Sequence, residues 1–323
     1  MINCNQEILK ALLKSKSLLS DEALREIQSF VSSQKCDTGG FKDRSGKPDL
    51  YYSVFAYTLA FVYDIELDIE KEFKFLKSFQ NVQELDLIHA VCYIRCYLLL
   101  LLIQQKQKFG FKPEIRDFDS FLGKVLMKGL IKKVKKDCQA LLELIETYKS
   151  KDGGYNHNKK QAEQATVYAS FLVWTLYQDL NEDEAVLNRI TNQLDTLKCD
   201  DASFANDHSS QTGVTSATAA GLIMTANNDR NYDDSITYLK QNYTSRGGFK
   251  AASGLPIADL LSTSTALLAL YMVGENLQDL SEKSIDFINL HWDESGGFFG
   301  SIADMTCDVE YTYYALLGIG ILI

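Results

Sequence analysis

Proline is nearly missing: three in 323 residues. A chain so poor in the residue that interrupts helices is neither collagen-like nor proline-rich and disordered, and its helices can run unbroken. Basic residues are the minority, with 33 Lys plus Arg against 43 Asp plus Glu. The resulting formal charge of −10 provides no overall field for nucleic acid, whose phosphates demand a positive surface that displaces counterions. The seven cysteines are odd in number and scattered, unlike the dense even set of a stapled secreted domain, so they read as reduced thiols of a cytoplasmic protein. No apolar run reaches the roughly 18–20 residues that cross a bilayer. The runs 96–103 and 311–323 therefore read as buried helices, not membrane spans. The N-terminal stretch mixes lysines with its leucines and starts an amphipathic helix instead of a secretory leader.

What the chain does have is internal repetition. A Gly-Gly-aromatic turn, a polar loop, an acid and a Ser/Thr/Tyr/Ala-rich apolar helix recur from Gly39, Gly153, Gly247 and Gly296. A degenerate copy starts at Ala202, and a copy without the glycine turn at Glu84. The acid position is then held by Asp49, Asp86, Glu163, Gly213, Asp259 and Asp308. Between copies lie segments such as 21–34, 68–79 and 181–197, whose apolar residues recur at three- and four-residue steps. Each copy thus supplies one helix buried on every side and one half-polar helix with a single buried stripe. Such pairs cannot bury their apolar faces alone, so they stack, and six pairs can close on themselves. The expected fold is all-α: an α/α toroid of six inner and six outer helices in one domain, 1–323, with N-terminal helices over 1–35 and a helical insertion over 105–150.

These residues carry a resemblance. The GGF turns and the helix starts PIADLLST and DVEYTYYALL look like the repeats of the prenyltransferase β-subunit and squalene-cyclase family. The resemblance implies a central cavity for an isoprenoid or other elongated hydrophobic ligand, and a helical α-subunit-like or homo-oligomeric partner. It also implies, in the zinc-dependent protein prenyltransferases, an Asp-x-Cys and a His three residues after the next acid. Here Asp259 is present, but Leu261 and Tyr311 stand at the Cys and His positions, and neither leucine nor a neutral tyrosine suits zinc. No metal or other cofactor is expected. The cations that clamp an isoprenoid diphosphate in that family are replaced by Ser253 and Pro256, while His208 lies one residue out of register with a diphosphate-binding histidine. The Asp-x-Asp-Asp acid of squalene-type cyclases is missing too; the nearest approach is RDFDSF from Arg116.

Candidate site residues follow from placement. Three residues past the repeat acids come Tyr52, His89, Thr166, Ser216, Ser262 and Tyr311, which would rim one mouth of the ring as ligand-binding groups beside six helix N-termini. The alternative is that acids and hydroxyls merely cap their own helices. Asp259, Asp308, Glu310 and Tyr311 are the catalytic candidates of a prenyltransferase or terpenoid-cyclase type enzyme. The same carboxylates leave open a carbohydrate-active toroid. A non-catalytic toroid that binds a ligand or a protein is the third reading. His89, Cys92 and Cys96 share one helix face and read as two buried thiols and a satisfied imidazole before a soft-metal site. Lys128, Lys132, Lys133, Lys135 and Lys136 form a basic face, either solvated or docking an acidic partner.

Overall fold

The inner helices form because each apolar run is punctuated by a cap and an oxygen-bearing side chain. In the computed structural model, which describes residues 2–79, 81, 84–111, 113–114, 121–226 and 232–323, six such helices appear: α3 (Leu50–Val62), α5 (Leu87–Phe109), α8 (Val167–Asp179), α10 (Thr215–Thr225), α12 (Leu260–Met272) and α14 (Val309–Leu322). Asp49, Asp86, Asp259 and Asp308 each accept the backbone N–H three residues on, at 2.7–2.9 Å. The third copy departs from expectation, because its cap is Thr166, not Glu163. Glu163 is instead exposed and paired with Lys151. The fourth cap position is Val214, not Gly213; lacking a side-chain acceptor there, Thr215 sends its N–H to the carbonyl of Ala251 in the next copy, 2.8 Å away.

A second hydrogen bond ties each glycine turn to its helix. The backbone N–H of Phe41, Tyr155, Phe204, Phe249 and Phe298 goes to the hydroxyl of Ser53, Ser170, Thr218, Thr263 and Thr312 at 2.9–3.1 Å. Every one of these hydroxyls stands four residues past its cap, and every one of these aromatics is buried. Glycine stands beside four of them, and Ser203 beside Phe204. Gly247 has φ +81, and a Cβ on it would fall 2.0 Å from the Lys283 carbonyl oxygen. Three of the turns close as two-stranded antiparallel ribbons: β1 with β2 (Phe41–Lys42, Pro48–Asp49), β3 with β4 (Phe249–Lys250, Ala258–Asp259) and β5 with β6 (Phe298–Ser301, Asp304–Asp308).

The outer layer is α2 (Asp21–Ser33), α4 (Ile69–Lys77), α7 (Gln139–Glu146), α9 (Glu184–Asn192), α11 (Asp233–Gln241) and α13 (Gln278–Asn289). Segment 105–150 is therefore not all insertion, since α7 takes an outer place and α5 runs on to Phe109. Helix α5 stops at Gly110, whose φ is +65. The extra element is α6 (Phe121–Asp137), packed on α5 and α7. Most of the Arg116 segment lies outside the described residues. The apolar run 96–103 also proves to be part of something longer, for the 23 residues of α5 suffice to cross a bilayer by length and composition. Its most apolar window is 61% buried within the ring, where it packs against α3, α4, α7 and α8.

Helix α1 (Cys4–Leu18) belongs to neither layer. Its partners are the last turns of inner helices: the Cys4 N–H to Gln178 Oε1 at 3.1 Å, Lys16 Nζ to the Val62 carbonyl at 2.8 Å, and Tyr271 Oη to Glu7 at 3.3 Å. It therefore lies across the C-terminal end of the inner barrel. The seat is tight, since a Cβ on Gly320 would stand 1.8 Å from the Ala11 carbonyl oxygen. Gly320→Ala should lower stability by about 1–3 kcal/mol. Gly129→Ala, at an open site on α6, should leave it unchanged or raise it by about 0.5–1 kcal/mol. Urea denaturation of both variants checks this, and equal midpoints would refute the seat.

Candidate functional site

The six inner helices enclose a cavity of about 1280 Å³. Counting from each cap, the fifth or sixth and the ninth residues face it, and the second does so on every inner helix but α5, as the 100° step of an α-helix requires. The second-residue level carries Tyr51, Tyr168, Ser216, Leu261 and Glu310, and the ninth-residue level Thr58, Arg95, Thr175, Ile223, Leu268 and Leu317. Aromatic rings dominate one wall, with Tyr51 and Tyr313 each 5.0 Å from Phe55 between ring centres, edge to face. Side chains of α1 close the end at Asn3, Cys4 and Ile8, and α6 completes one side with Met127, Lys128, Ile131 and Lys132.

Glu310 is the carboxyl at the aromatic end. It accepts the Tyr51 hydroxyl at 2.6 Å. Burial raises it to about 7, with the Tyr51 hydrogen bond opposing and neighbouring Asp308 adding to the shift. Burial likewise pushes the hydroxyls of Tyr51, Tyr168 and Tyr314 upward, which keeps them neutral. The other end has a second carboxyl, Asp179, raised to about 6 by burial against the pull of Arg95 and the hydrogen bonds from Asn5 and Asn3. Asn5 Nδ2 reaches it at 2.6 Å. Arg95 donates to the Thr175 hydroxyl and, at 3.4 Å, to the Leu172 carbonyl.

The predicted rim does not assemble as one ring. Tyr52, His89, Ser262 and Tyr311 occupy the third position of their helices, one step of 100° away from the bore. Thr166 is a cap whose hydroxyl also meets His157 Nδ1 at 3.1 Å. Ser216 alone of the six lines the bore, because counting from Gly213 instead of Val214 put it on the right face. His89 is a clamp between two caps: its Nδ1 is 2.8 Å from Asp86 and its Nε2 3.7 Å from Asp49. Those acids, Asp49 first, raise it to about 9, so it is cationic at neutral pH. His208 is exposed, 3.4 Å from the Thr196 hydroxyl.

Nor do the catalytic candidates share a chamber. Both oxygens of Asp259 are taken by the N–H and hydroxyl of Ser262, each at 2.7 Å. With Tyr311 it borders a separate cleft of about 100 Å³. Asp308 caps α14 and accepts from Arg44 Nε at 2.9 Å, and that guanidinium also covers the Tyr311 ring at 5.3 Å. Only Glu310 of the four faces the large cavity. Among the described residues no group of three His, Cys, Asp or Glu side chains is placed to hold a metal ion. Cys92 and Cys96 are buried thiols pushed up by desolvation. Arg95, Asp179 and His157 line the cavity without having been singled out in the sequence.

A ring of inner and outer helices around an apolar bore defines the α/α toroid class. The chain matches the prenyltransferase alpha-alpha toroid domain over residues 6–92, 120–220 and 214–322, and it belongs to that family. A comparison with curated proteins finds no match. Among solved structures it is similar to the type II terpene cyclase MstE from Scytonema, with 11% identity, a TM-score of 0.57, and 95% of this chain and 97% of that one covered. A single-residue variant of MstE in complex with geranylgeranyl dihydroxybenzoate, its substrate, superposes with a TM-score of 0.56 at 11% identity over 96% and 97% of the two chains. This likeness concerns the fold.

The raised carboxyl makes a pH prediction. A folded group that titrates above its unfolded value binds its proton preferentially in the native state. The stability from Glu310 is therefore complete below its ordinary 4.5 and lost as pH climbs through about 7. Glu310→Gln should remove about 2–3 kcal/mol of the decline between pH 5 and pH 8, the remainder coming from groups such as Asp179. Urea denaturation at the two pH values measures it; parallel declines in both proteins would show that Glu310 titrates normally.

Proposed function

We propose that the protein binds an elongated isoprenoid-like ligand in its bore and handles a proton there through Glu310, as a cyclase of the terpenoid type. The observation that carries this reading is the conjunction of a large, mostly apolar, aromatic-walled cavity with one carboxyl held near neutrality at its wall. The MstE variant, bound to a geranylgeranyl-bearing substrate, supports the choice of ligand class. A carboxyl titrating near 7 is a weak donor toward a carbon–carbon double bond and better matched to oxygen, so a terminal epoxide is the group it suits. Glu310 gives its proton to the epoxide oxygen as the C–O bond opens. Alkene π pairs then form C–C bonds, and a C–H proton lost from the last cation restores the acid; substrate and product are isomers. Faces of Tyr51, Phe55, Tyr168 and Tyr313 stabilise the migrating charge.

Prenyl transfer through zinc has less support. The place where the zinc-dependent members hold their metal carries Asp259, engaged as a helix cap, with Leu261 and Tyr311 beside it. We therefore propose a reaction without zinc, and metal analysis of the purified protein should find no stoichiometric zinc. The carbohydrate reading loses its carboxyl pair, since Asp259 and Asp308 are committed elsewhere. A binding-only toroid stays in play for the same reason, the caps and Arg44 having taken two of the three acids.

Geranylgeraniol and its terminal epoxide, followed by calorimetry and mass-resolved chromatography, discriminate these. Wild type should bind both and convert the epoxide to an isomeric alcohol. Glu310→Gln should bind as well but turn over at least about a hundredfold more slowly. Filling the bore by Ala220→Phe, or by Ser216→Phe if the first does not fold, should abolish binding. Binding without conversion would favour the non-catalytic reading; failure of wild type to bind either compound would sink the bore assignment.

A further inference from the structure

Arg95 is a cation in an apolar bore, and its bonding is incomplete. It stands seven residues along α5 from the level of Glu310, about 10 Å deeper by helix rise, at the end closed by α1. One Nη donates to Thr175 and Leu172, whereas Nε is shut off from solvent and has no acceptor among the described residues. Asp179 lowers the electrostatic cost of the charge but does not bond to it: its two oxygens accept from Asn5 at 2.6 Å and Asn3 at 3.5 Å. The second Nη makes no hydrogen bond to the described residues and, unlike Nε, is not shut off from solvent, so it can meet an oxyanion in the cavity that Arg95 lines.

The wall beside it is also basic. Lys124, Lys128, Lys132 and Lys135 recur at steps of four and three on α6, and all four line the same cavity. The first three are exposed, while Lys135 pairs with Glu182 at 2.7 Å. In a chain of net charge −10, these lysines share the cavity wall with Leu180 and Asn181 just past α8. They would draw an anion toward Arg95.

We propose that the α1 end of the bore is an anion subsite in which Arg95 receives the carboxylate of an amphiphilic ligand whose apolar tail extends toward Glu310. This rests on the isoprenoid-binding reading above and specifies the ligand's head group. A carboxylate fits better than a diphosphate, because one guanidinium balances one negative charge and the bore already contains Asp179 and Glu310. The oxyanion takes the hydrogens of the second Nη, and the planar fork sets its orientation.

Titration calorimetry at pH 8 with geranylgeranoic acid and geranylgeraniol, which share one tail, tests the subsite. Wild type should prefer the acid by roughly tenfold or more. Arg95→Met should weaken the acid by about ten- to a hundredfold and leave the alcohol within about threefold. Arg95→Lys, which keeps the charge should the methionine variant fail to fold, should retain part of the preference. The double variant Lys128→Ala, Lys132→Ala should weaken the acid severalfold at low salt and leave the alcohol within about threefold, the loss shrinking as salt is raised. Equal wild-type affinity for acid and alcohol overturns the subsite and leaves the bore reading standing. If neither compound binds, the bore reading fails and the subsite falls with it.

Discussion

A single hydroxyl, one turn into five of the six inner helices, is the joint on which the ring depends. In these copies it accepts the N–H of the aromatic residue of the turn, from Phe41 to Ser53 through Phe298 to Thr312. The same oxygen bonds back to the cap carbonyl in Ser53, Thr218, Thr263 and Thr312, at 2.6–2.8 Å. One such bond is worth about 1 kcal/mol net. Its larger effect is geometric, because it fixes the rotation of the inner helix relative to the turn. That rotation decides which residues see the bore and which see the seam, and the aromatic ring it anchors fills the space between layers.

The electrostatic character of the bore is set by that choice of face. Asp308 and Glu310 are two residues apart on one helix start. Asp308 points to the backbone and to Arg44, and becomes a structural anion. Glu310 points inward to an apolar wall and one tyrosine hydroxyl, and desolvation keeps it half protonated near neutrality. Asp179 is raised by the same physics at the other end. The acids that look like a constellation in the sequence thus separate into caps, which hold the ring, and one carboxyl that faces its contents.

The ring itself was legible because glycine turns and small-residue helices repeat too regularly to be coincidental, and stacking is the only way to bury them. Register was less so. Using an acid as the marker misplaced the third copy at Glu163, since a threonine hydroxyl caps a helix as well as a carboxylate does, and Thr166 took the role. The hydroxyl fourteen residues after the aromatic, Thr218, Thr263 and Thr312, is the better ruler. The rim residues were off by one position, which on a helix is enough to turn Tyr52 and Ser262 out of the cavity. Arg95 escaped notice because a lone cation inside an apolar run looks like surface until three-dimensional neighbours are known. Helix α7 was hidden in the long interval because a short amphipathic helix beside an inserted one gives no boundary.

Helix α1 has a consequence for how the ring comes together. It seats on α14, from the far end of the chain, through the close approach of Ala11 and Gly320. Closing a contact of such sequence separation costs chain entropy that local pairs do not. Until the two ends meet, the barrel is a cup without its stopper, open at the end where Arg95 and Asp179 sit.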